Sequence, residues 1–316
     1  MIKLSKSDNK TLLDLCIHIS ASPSKNPDLF CKQAKMCSAY LPSEIKNVLH
    51  EFKTNGSKTG FLLIRGAPLG QIPDTPTTNN QKRGEATILA KIQAIFVQCI
   101  SEMIAYEAEG YGRLFQDIVP VKEMSDKQVS LGNSELEIHT EQAFSELRPD
   151  ILSLACLRGD VNAKTYILPI GSVLEYLPTE DVEILKEPLW KTGVDLSFKM
   201  GGVEFIEGDV RGPFPIVSQD YTFRFDQDLM KGITDDYDAF IKKIVDIYYA
   251  HRCEHCLEPG DIVLVDNNRA VHGRSGYNPK YDGKDRFLIR CFSTFDLDKS
   301  EYARPNGGRT ISSIYS

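Results

Sequence analysis

The order of apolar and polar positions divides the chain into a helical opening and a strand-rich remainder. Leu12, Leu13, Leu15, Cys16 and Ile19 recur at helical spacing and predict a helix over 11–19. Pro42-Ser43-Glu44 opens another that runs to Phe52, proline being well suited to a first helical turn. Ile88, Leu89, Ile92, Ile95, Phe96, Cys99 and Met103 form the stripe of a long helix predicted over 85–106. Residues 60–65 read as a buried strand. Residues 66–84, rich in Pro, Thr, Asn and Gly, read as a loop long enough to act as a lid. After Gly112 the texture changes to short β-branched and aromatic runs separated by turn residues. They predict strands at 114–119, 135–140, 151–157, 164–169, 202–206, 215–218, 222–225, 262–265 and 286–295. One helix, 235–250, interrupts them with Tyr237, Phe240, Ile241, Ile244, Ile247 and Tyr248 on one face. Closely spaced short strands argue for a double-sheet or barrel core dressed with helices. No Pro/Gly/Ser linker divides the chain, so a single domain over 1–316 is expected, with a mostly helical part, 1–112, packed on a core formed by 113–316.

Composition narrows the function classes. The 316 residues are 41% hydrophobic and 26% charged, which fits a globular chain and excludes disorder, collagen or coiled coil as a whole-chain answer. The longest apolar run, 151–157, falls far short of the ~20 residues that cross a bilayer, so no membrane is expected. The first residues lack an apolar core and a small-residue cleavage site, so the expected location is cytoplasmic. A net charge of −7 offers no basic face for nucleic acid. The eight cysteines then read as reduced thiols, with Cys16, Cys99, Cys156 and Cys291 in apolar surroundings. Cys253 and Cys256 form a CxxC flanked by His251 and His255. A structural zinc site needs a second ligand pair, and only the loosely spaced Cys31 and Cys37 offer one, so simple burial is the preferred reading.

Three features carry candidate chemistry. In a strand, His139 and Glu141 point the same way, bringing an imidazole and a carboxylate to one spot. Alone, H-x-E is matched often by chance. His272 lies 131 residues beyond Glu141, inside Asp266-Asn267-Asn268-Arg269-Ala270-Val271-His272-Gly273-Arg274-Ser275. Two histidines and one carboxylate are the facial ligand set of non-heme Fe(II) oxygenases. Finally, Asp285-Arg286-Phe287-Leu288-Ile289-Arg290-Cys291-Phe292 is an apolar strand whose two arginines, four apart, share a face, while Phe287, Ile289 and Cys291 take the other. Buried guanidinium groups require anionic partners. A 2-oxoglutarate cosubstrate and a carboxylate-bearing substrate would supply one each.

The runs His139-Thr140-Glu141, Arg148-Pro149-Asp150, Leu154-Ala155-Cys156-Leu157-Arg158, the Asp266–Ser275 motif and Tyr281-Asp282-Gly283-Lys284-Asp285-Arg286 together resemble the clavaminate synthase-like Fe(II)/2-oxoglutarate oxygenases, over about 113–295. The resemblance implies a distorted double-stranded β-helix (jelly roll) flanked by α-helices. It implies His139, Glu141 and His272 as iron ligands, and Arg286, 14 residues after His272, with Thr165 as the grip on the distal carboxylate of 2-oxoglutarate. It implies Arg290 for the substrate α-carboxylate with Ser130 assisting, and Asp220 against a cationic side-chain end. Glu107 and Glu109 fall in a segment where relatives place an acid or amide near the α-amino group, without a fixed register. Parts of 200–215 join 66–84 as candidate lids. Related radical halogenases lack the carboxylate, so Glu141 implies hydroxylation. The implied reaction converts O2 and 2-oxoglutarate to succinate and CO2 and hydroxylates a free basic amino acid: L-lysine at C3 or C4, with C4 favoured. The alternatives are L-arginine or another amino acid, a carrier-bound or antibiotic-precursor substrate, or a jelly roll that binds a ligand without catalysis. The expected partner is a small molecule, and a homo-oligomer stays open.

Overall fold

The structure is a computed structural model that describes residues 1–200, 209–305 and 307–315. The strand predicted at 202–206 and the central part of the 200–215 segment lie outside the described residues. Along the chain, β1 (Ile2–Lys3) leads to the helices α1 (Lys6–Ile17), α2 (Pro27–Ser38) and α3 (Ser43–Asn55). Then come β2 (Phe61–Arg65), α4 (Ile88–Ile100), β3 (Glu102–Tyr106), β4 (Gln116–Ile118), β5 (Leu136–His139), β6 (Ile151–Arg158) and β7 (Thr165–Pro169). The middle holds α5 (Ile170–Tyr176), α6 (Thr179–Leu185), β8 (Trp190–Gly193), α7 (Leu196–Met200), β9 (Val210–Phe214) and β10 (Met230–Gly232). The chain continues through α8 (Asp235–His251), β11 (Cys253–His255), β12 (Ile262–Asp266), β13 (Ala270–Arg274), β14 (Phe287–Thr294) and β15 (Thr310–Ile311).

An eight-stranded sheet runs β1-β2-β12-β6-β14-β3-β15, with β4 also paired to β14, and a four-stranded sheet runs β11-β7-β13-β5. Alternation along β14 divides its labour. Phe287, Ile289 and Cys291 pack into the core shared with α1–α4, whereas Leu288 and Phe292 join the cluster on the opposite face. A third cluster joins Tyr166, Leu168 and Val271 of the small sheet to Trp190 and α8. Helices therefore cover one face of the large sheet and its other face is turned toward the small sheet, the layering that sheet amphipathicity demands. Among the described residues no helix is long and apolar enough to cross a membrane.

Several elements depart from the pattern-based expectation. The helix predicted over 85–106 is two elements. Thr87 caps its start, accepting from Ala90 N at 3.2 Å, and Ser101 ends it in an extended conformation (φ −152°, ψ 178°). The Ser101 hydroxyl donates to Val97 O and Ser293 Oγ, which steers Met103 into β3 beside β14. The segments 215–218 and 222–225 make only isolated pairings, Val217 with Phe223, because Thr140 N and Oγ1 bind the 223–225 backbone as an extension of β5. The helix α2 and the strand β13 lack the simple periodicity that would have announced them. All eight cysteines are free, and no cysteine cluster with metal-ligand spacing occurs among the described residues.

The two sheet strands nearest the site approach closely at Gly273: an added Cβ would stand 2.7 Å from Leu136 O and 3.2 Å from the Tyr248 hydroxyl. Gly273→Ala should therefore force β13 from β5, at a cost of about 1–3 kcal/mol. The expected readout is a melting temperature lower by several degrees in calorimetry; an unchanged transition would show that the strands accommodate the methyl group.

Candidate active site

Strand register brings the two histidines together. β13 pairs antiparallel with β5 so that His272 lies opposite His139, ring centroids 4.4 Å apart. Glu141 is placed differently from expectation. It lies beyond the end of β5 in a turn, with Gln142 at φ 54°, so strand alternation does not aim it. Asn267 does. Its Oδ1 accepts from Glu141 N at 2.8 Å, and its Nδ2 donates to Glu141 O at 3.1 Å and Pro149 O at 2.8 Å. A carboxamide that mimics a peptide thus docks the Glu141 main chain onto the turn before β13. One ligand atom each from His139, Glu141 and His272 lies within 4.8 Å of the others, and no other such cluster occurs among the described residues.

The donors suit a divalent cation. His139 Nδ1 lies 2.8 Å from Glu137 O, a contact that orients the ring and leaves Nε2 free to ligate. Burial, then the neighbouring His139, holds the His272 imidazole below its ordinary pKa and so in the neutral form that binds metal. Glu141 presents Oε2 to His272 Nε2 at 3.3 Å, while Oε1 accepts from Arg290 Nη1 at 3.0 Å. Burial alone would raise the Glu141 pKa, but Arg290 and the imidazoles bring it below the usual carboxylate range. The set of two neutral imidazoles and one carboxylate is the one non-heme Fe(II) takes.

A cavity of about 300 Å³ lies between the sheets against this cluster. Its two ends differ in charge. At one end, Arg286 and Arg274 are 5% and 4% exposed, and Thr165 pairs in register with Arg274. Neither guanidinium has a carboxylate partner among the described residues. Burial, then Arg286, holds Arg274 down to about 10. At the other end stand Asp195, Asp226 and Asp228. Backbone pairing of Asp226 with His139 fixes its position. Burial, then Asp226, pushes Asp195 well up, and burial also raises Asp226. Asp195 and Asp226, two buried carboxylates driven toward the neutral form, are prepared for a cation.

His139, Glu141, His272, Arg286, Arg290, Thr165 and Ser130 all line the cavity. Arg290 is satisfied from within the protein, donating to Glu109, Glu141 and Gln116. Ser130 stands on the Arg274 side, its carbonyl accepting from Arg274 Nη1 at 3.3 Å. Asp220 is a correction: it is exposed at the tip of a turn closed by Ser218, whose Oγ accepts from Thr222 N at 2.9 Å, and it does not line the cavity. The acids that do, Asp195 and Asp226, were missed. Asp226 closes the apolar run 222–225, and that break was the available signal. Arg274 lies within the 266–275 motif, where no local pattern signals its place in the cavity wall. Of the two glutamates without register, Glu109 lines the cavity, whereas Glu107 accepts from Ser312 and Ser313. The 66–84 loop, a candidate lid, stands away from the cavity. Thr75 is tied to Gly283 and Asp285, Gly84 to Asp117, and none of its residues reaches the cavity.

The L-lysine 3-hydroxylase of Catenulispora acidiphila is 43% identical to this protein, over 100% of this chain and 90% of its own length. The chain belongs to the clavaminate synthase-like Fe(II)/2-oxoglutarate oxygenases. Residues 204–292 of this oxygenase also match the taurine catabolism dioxygenase TauD, TfdA family. The structure of asparagine oxygenase with Fe(II), 2S,3S-3-hydroxyasparagine and succinate superposes on the oxygenase with a TM-score of 0.90 at 28% identity, covering 98% of each chain. The non-heme iron oxygenase OrfP with Fe and alpha-ketoglutaric acid gives 0.84 at 25% identity, over 98% of this chain and 99% of that one.

Asn267 offers a direct check of the placement of Glu141. In the oxygenase, Asn267→Ala should weaken Fe(II) binding about 10- to 100-fold, as loss of an outer-shell partner does. Anaerobic Fe(II) titration measures it, and an unchanged affinity would show that Glu141 is positioned by other contacts.

Proposed function

We propose that this oxygenase hydroxylates free L-lysine at C3, coupling the reaction to conversion of 2-oxoglutarate and O2 to succinate and CO2. The observation that carries the reading is the lining of one cavity: Arg286 and Arg274 without carboxylate partners among the described residues, Arg290 beside the His139–Glu141–His272 cluster, and the acids Asp195 and Asp226. An α-amino acid with a cationic tail fits this arrangement, and arginine is the nearest variant. The resemblance carried by the motifs favours C4. The relative 43% identical over the whole chain is named a 3-hydroxylase, which moves the preferred position to C3. Residues 1–316 are read as one catalytic domain, and the facing sheets as a distorted double-stranded β-helix.

In this reading His139, Glu141 and His272 hold the iron. Bound there, Fe(II) supplies the redox chemistry that links oxidative decarboxylation of 2-oxoglutarate to oxygen insertion into an unactivated C–H bond. The rest falls to the chain's own side chains. Arg286, with Thr165, takes the distal carboxylate of 2-oxoglutarate in the bidentate geometry that guanidinium favours. Arg290 turns toward the substrate α-carboxylate, with Glu109 beside the α-amino group and Ser130 assisting. Asp226 and Asp195 receive the terminal ammonium, whose charge lets both ionise. Leu152, Leu154 and Leu288 line the cavity and limit water. Fixing both ends of a flexible substrate decides which carbon meets the metal centre, since misplacement by about 1 Å costs about a hundredfold in rate.

Fe(II)-loaded protein should release succinate in an O2-dependent manner with L-lysine in a panel of free amino acids, and mass spectrometry with NMR should locate the hydroxyl at C3. Turnover confined to a carrier-bound amino acid would overturn the free-substrate reading, and His139→Ala should abolish activity. Asp226→Asn, which removes one charge facing the ammonium, should raise the lysine KM about tenfold while the 2-oxoglutarate KM holds, because one charge-assisted hydrogen bond is worth about 1.5–3 kcal/mol. Equal rises in both constants would deny Asp226 its place at the substrate's cationic end.

A further inference from the structure

Residues 125–134, a turn-rich segment before β5, contribute one of the walls of the cavity that lie outside the sheets. Asp126, Lys127, Gln128, Val129 and Ser130 all line it. Its internal bonds are local, as in Asn133 N and Ser134 N to Ser125 O at 3.1 and 3.0 Å. One anchor to the body of the fold is a side chain of β13. Arg274 Nη2 donates to Ser134 O at 2.6 Å, Nη1 to Ser130 O at 3.3 Å and Nε to Ser275 O at 3.2 Å. A second is the reciprocal pair of Asn133 with Tyr277: Tyr277 N to Asn133 O at 2.9 Å and Asn133 Nδ2 to Tyr277 O at 3.1 Å. Both cationic groups lie near the Tyr277 ring, Arg274 at 5.1 Å and Arg286 at 5.9 Å from its centroid.

A buried guanidinium bonded only to carbonyl oxygens is an expensive choice for a purely mechanical clamp. Arg274 has no carboxylate partner among the described residues and stands beside Arg286, which repels it. The expense makes sense if an anion arrives there. Resting on the 2-oxoglutarate reading above, we infer that Arg274 is a positioning residue that joins the two halves of the site: the distal carboxylate of the cosubstrate balances its charge, and its hydrogen bonds hold the 125–134 segment, with Ser130, over the substrate. Cosubstrate occupancy thus tightens the wall against which the amino acid is aligned. Loss of this coupling lets 2-oxoglutarate and O2 go to succinate and CO2 without hydroxylation, the second oxygen atom being reduced to water by a two-electron reductant such as ascorbate supplied in the assay, since decarboxylation needs the cosubstrate in place whereas productive oxygen transfer needs an aligned substrate.

Exposed Lys127 makes the segment's opening measurable by limited trypsinolysis read by mass spectrometry. In anaerobic Fe(II)-loaded wild type, 2-oxoglutarate should slow cleavage after Lys127. In Arg274→Gln, that cleavage should be about tenfold faster and indifferent to 2-oxoglutarate, the size expected for loss of a charge-assisted hydrogen bond. Cleavage after the exposed Lys242 in α8 serves as the control for global unfolding and should not change. Arg274→Lys keeps the charge but not the fork, and should show a smaller rise and partial rescue of 2-oxoglutarate protection; it also serves if Arg274→Gln does not fold. Under O2, both variants should give a succinate-to-hydroxylated-product ratio above that of wild type. The inference is overturned if cleavage after Lys127 is unchanged in both variants, or if the ratio stays at the wild-type value while only the 2-oxoglutarate KM rises, which would make Arg274 a plain carboxylate ligand. Absence of any 2-oxoglutarate turnover in wild type would instead sink the underlying functional reading, and the cosubstrate-free comparison of cleavage rates would still decide whether Arg274 holds the segment.

Discussion

The pairing of β5 with β13 sets His139 directly against His272, and the other parts of the site are positioned relative to that pair. Two strands far apart in sequence must be held in one register for the two imidazoles to face one point. The register is secured from outside the pair: β7 binds the other edge of β13, and the 223–227 backbone binds the end of β5. The same outer pairing seats Asp226 beside His139. A slip of β5 by one residue would turn His139 out of the cavity.

Electrostatics supplies the second layer of order. Arg290 joins Glu109 to Glu141, so the residue proposed to take the substrate α-carboxylate also fixes the rotation of the ligating carboxylate. Burial raises Glu109 despite its contact with Arg290, whereas Glu141 is brought down by Arg290 and the imidazoles. Two carboxylates on one guanidinium thus hold protons differently because only one of them also faces the histidines. Of the remaining charges, Arg274 and Arg286 stand together at one place in the cavity wall and Asp195 and Asp226 at another, so a carboxylate and an ammonium are drawn to different walls.

Much of this was legible in the chain. Period-two alternation placed Arg286 and Arg290 on one face and Phe287, Ile289 and Cys291 on the other, and the family motifs around His139, Glu141 and His272 pointed to a ligand set, although the strand alternation expected to aim Glu141 does not. What escaped depends on contacts between residues remote in sequence. Ser101 ends α4 through its bond to Ser293, and no local pattern shows that a helical stripe stops there. Asp220 and Asp226 are both acids in the same stretch, and only the pairing of 223–227 with β5 reveals which one turns inward. Arg274 looks like a polar residue after a histidine until the carbonyls it binds are seen.

The hold of Asn267 on Glu141 has a consequence for how this scaffold can change its chemistry. The carboxamide grips the peptide groups on both sides of the Glu141 Cα and the Pro149 carbonyl, and so binds main-chain groups alone. The turn is therefore indifferent to which side chain it carries there. A shortened residue at that position would vacate a coordination place while leaving the surrounding backbone standing, so the step from inserting oxygen to delivering another anion from the metal is separable from the architecture that supports it.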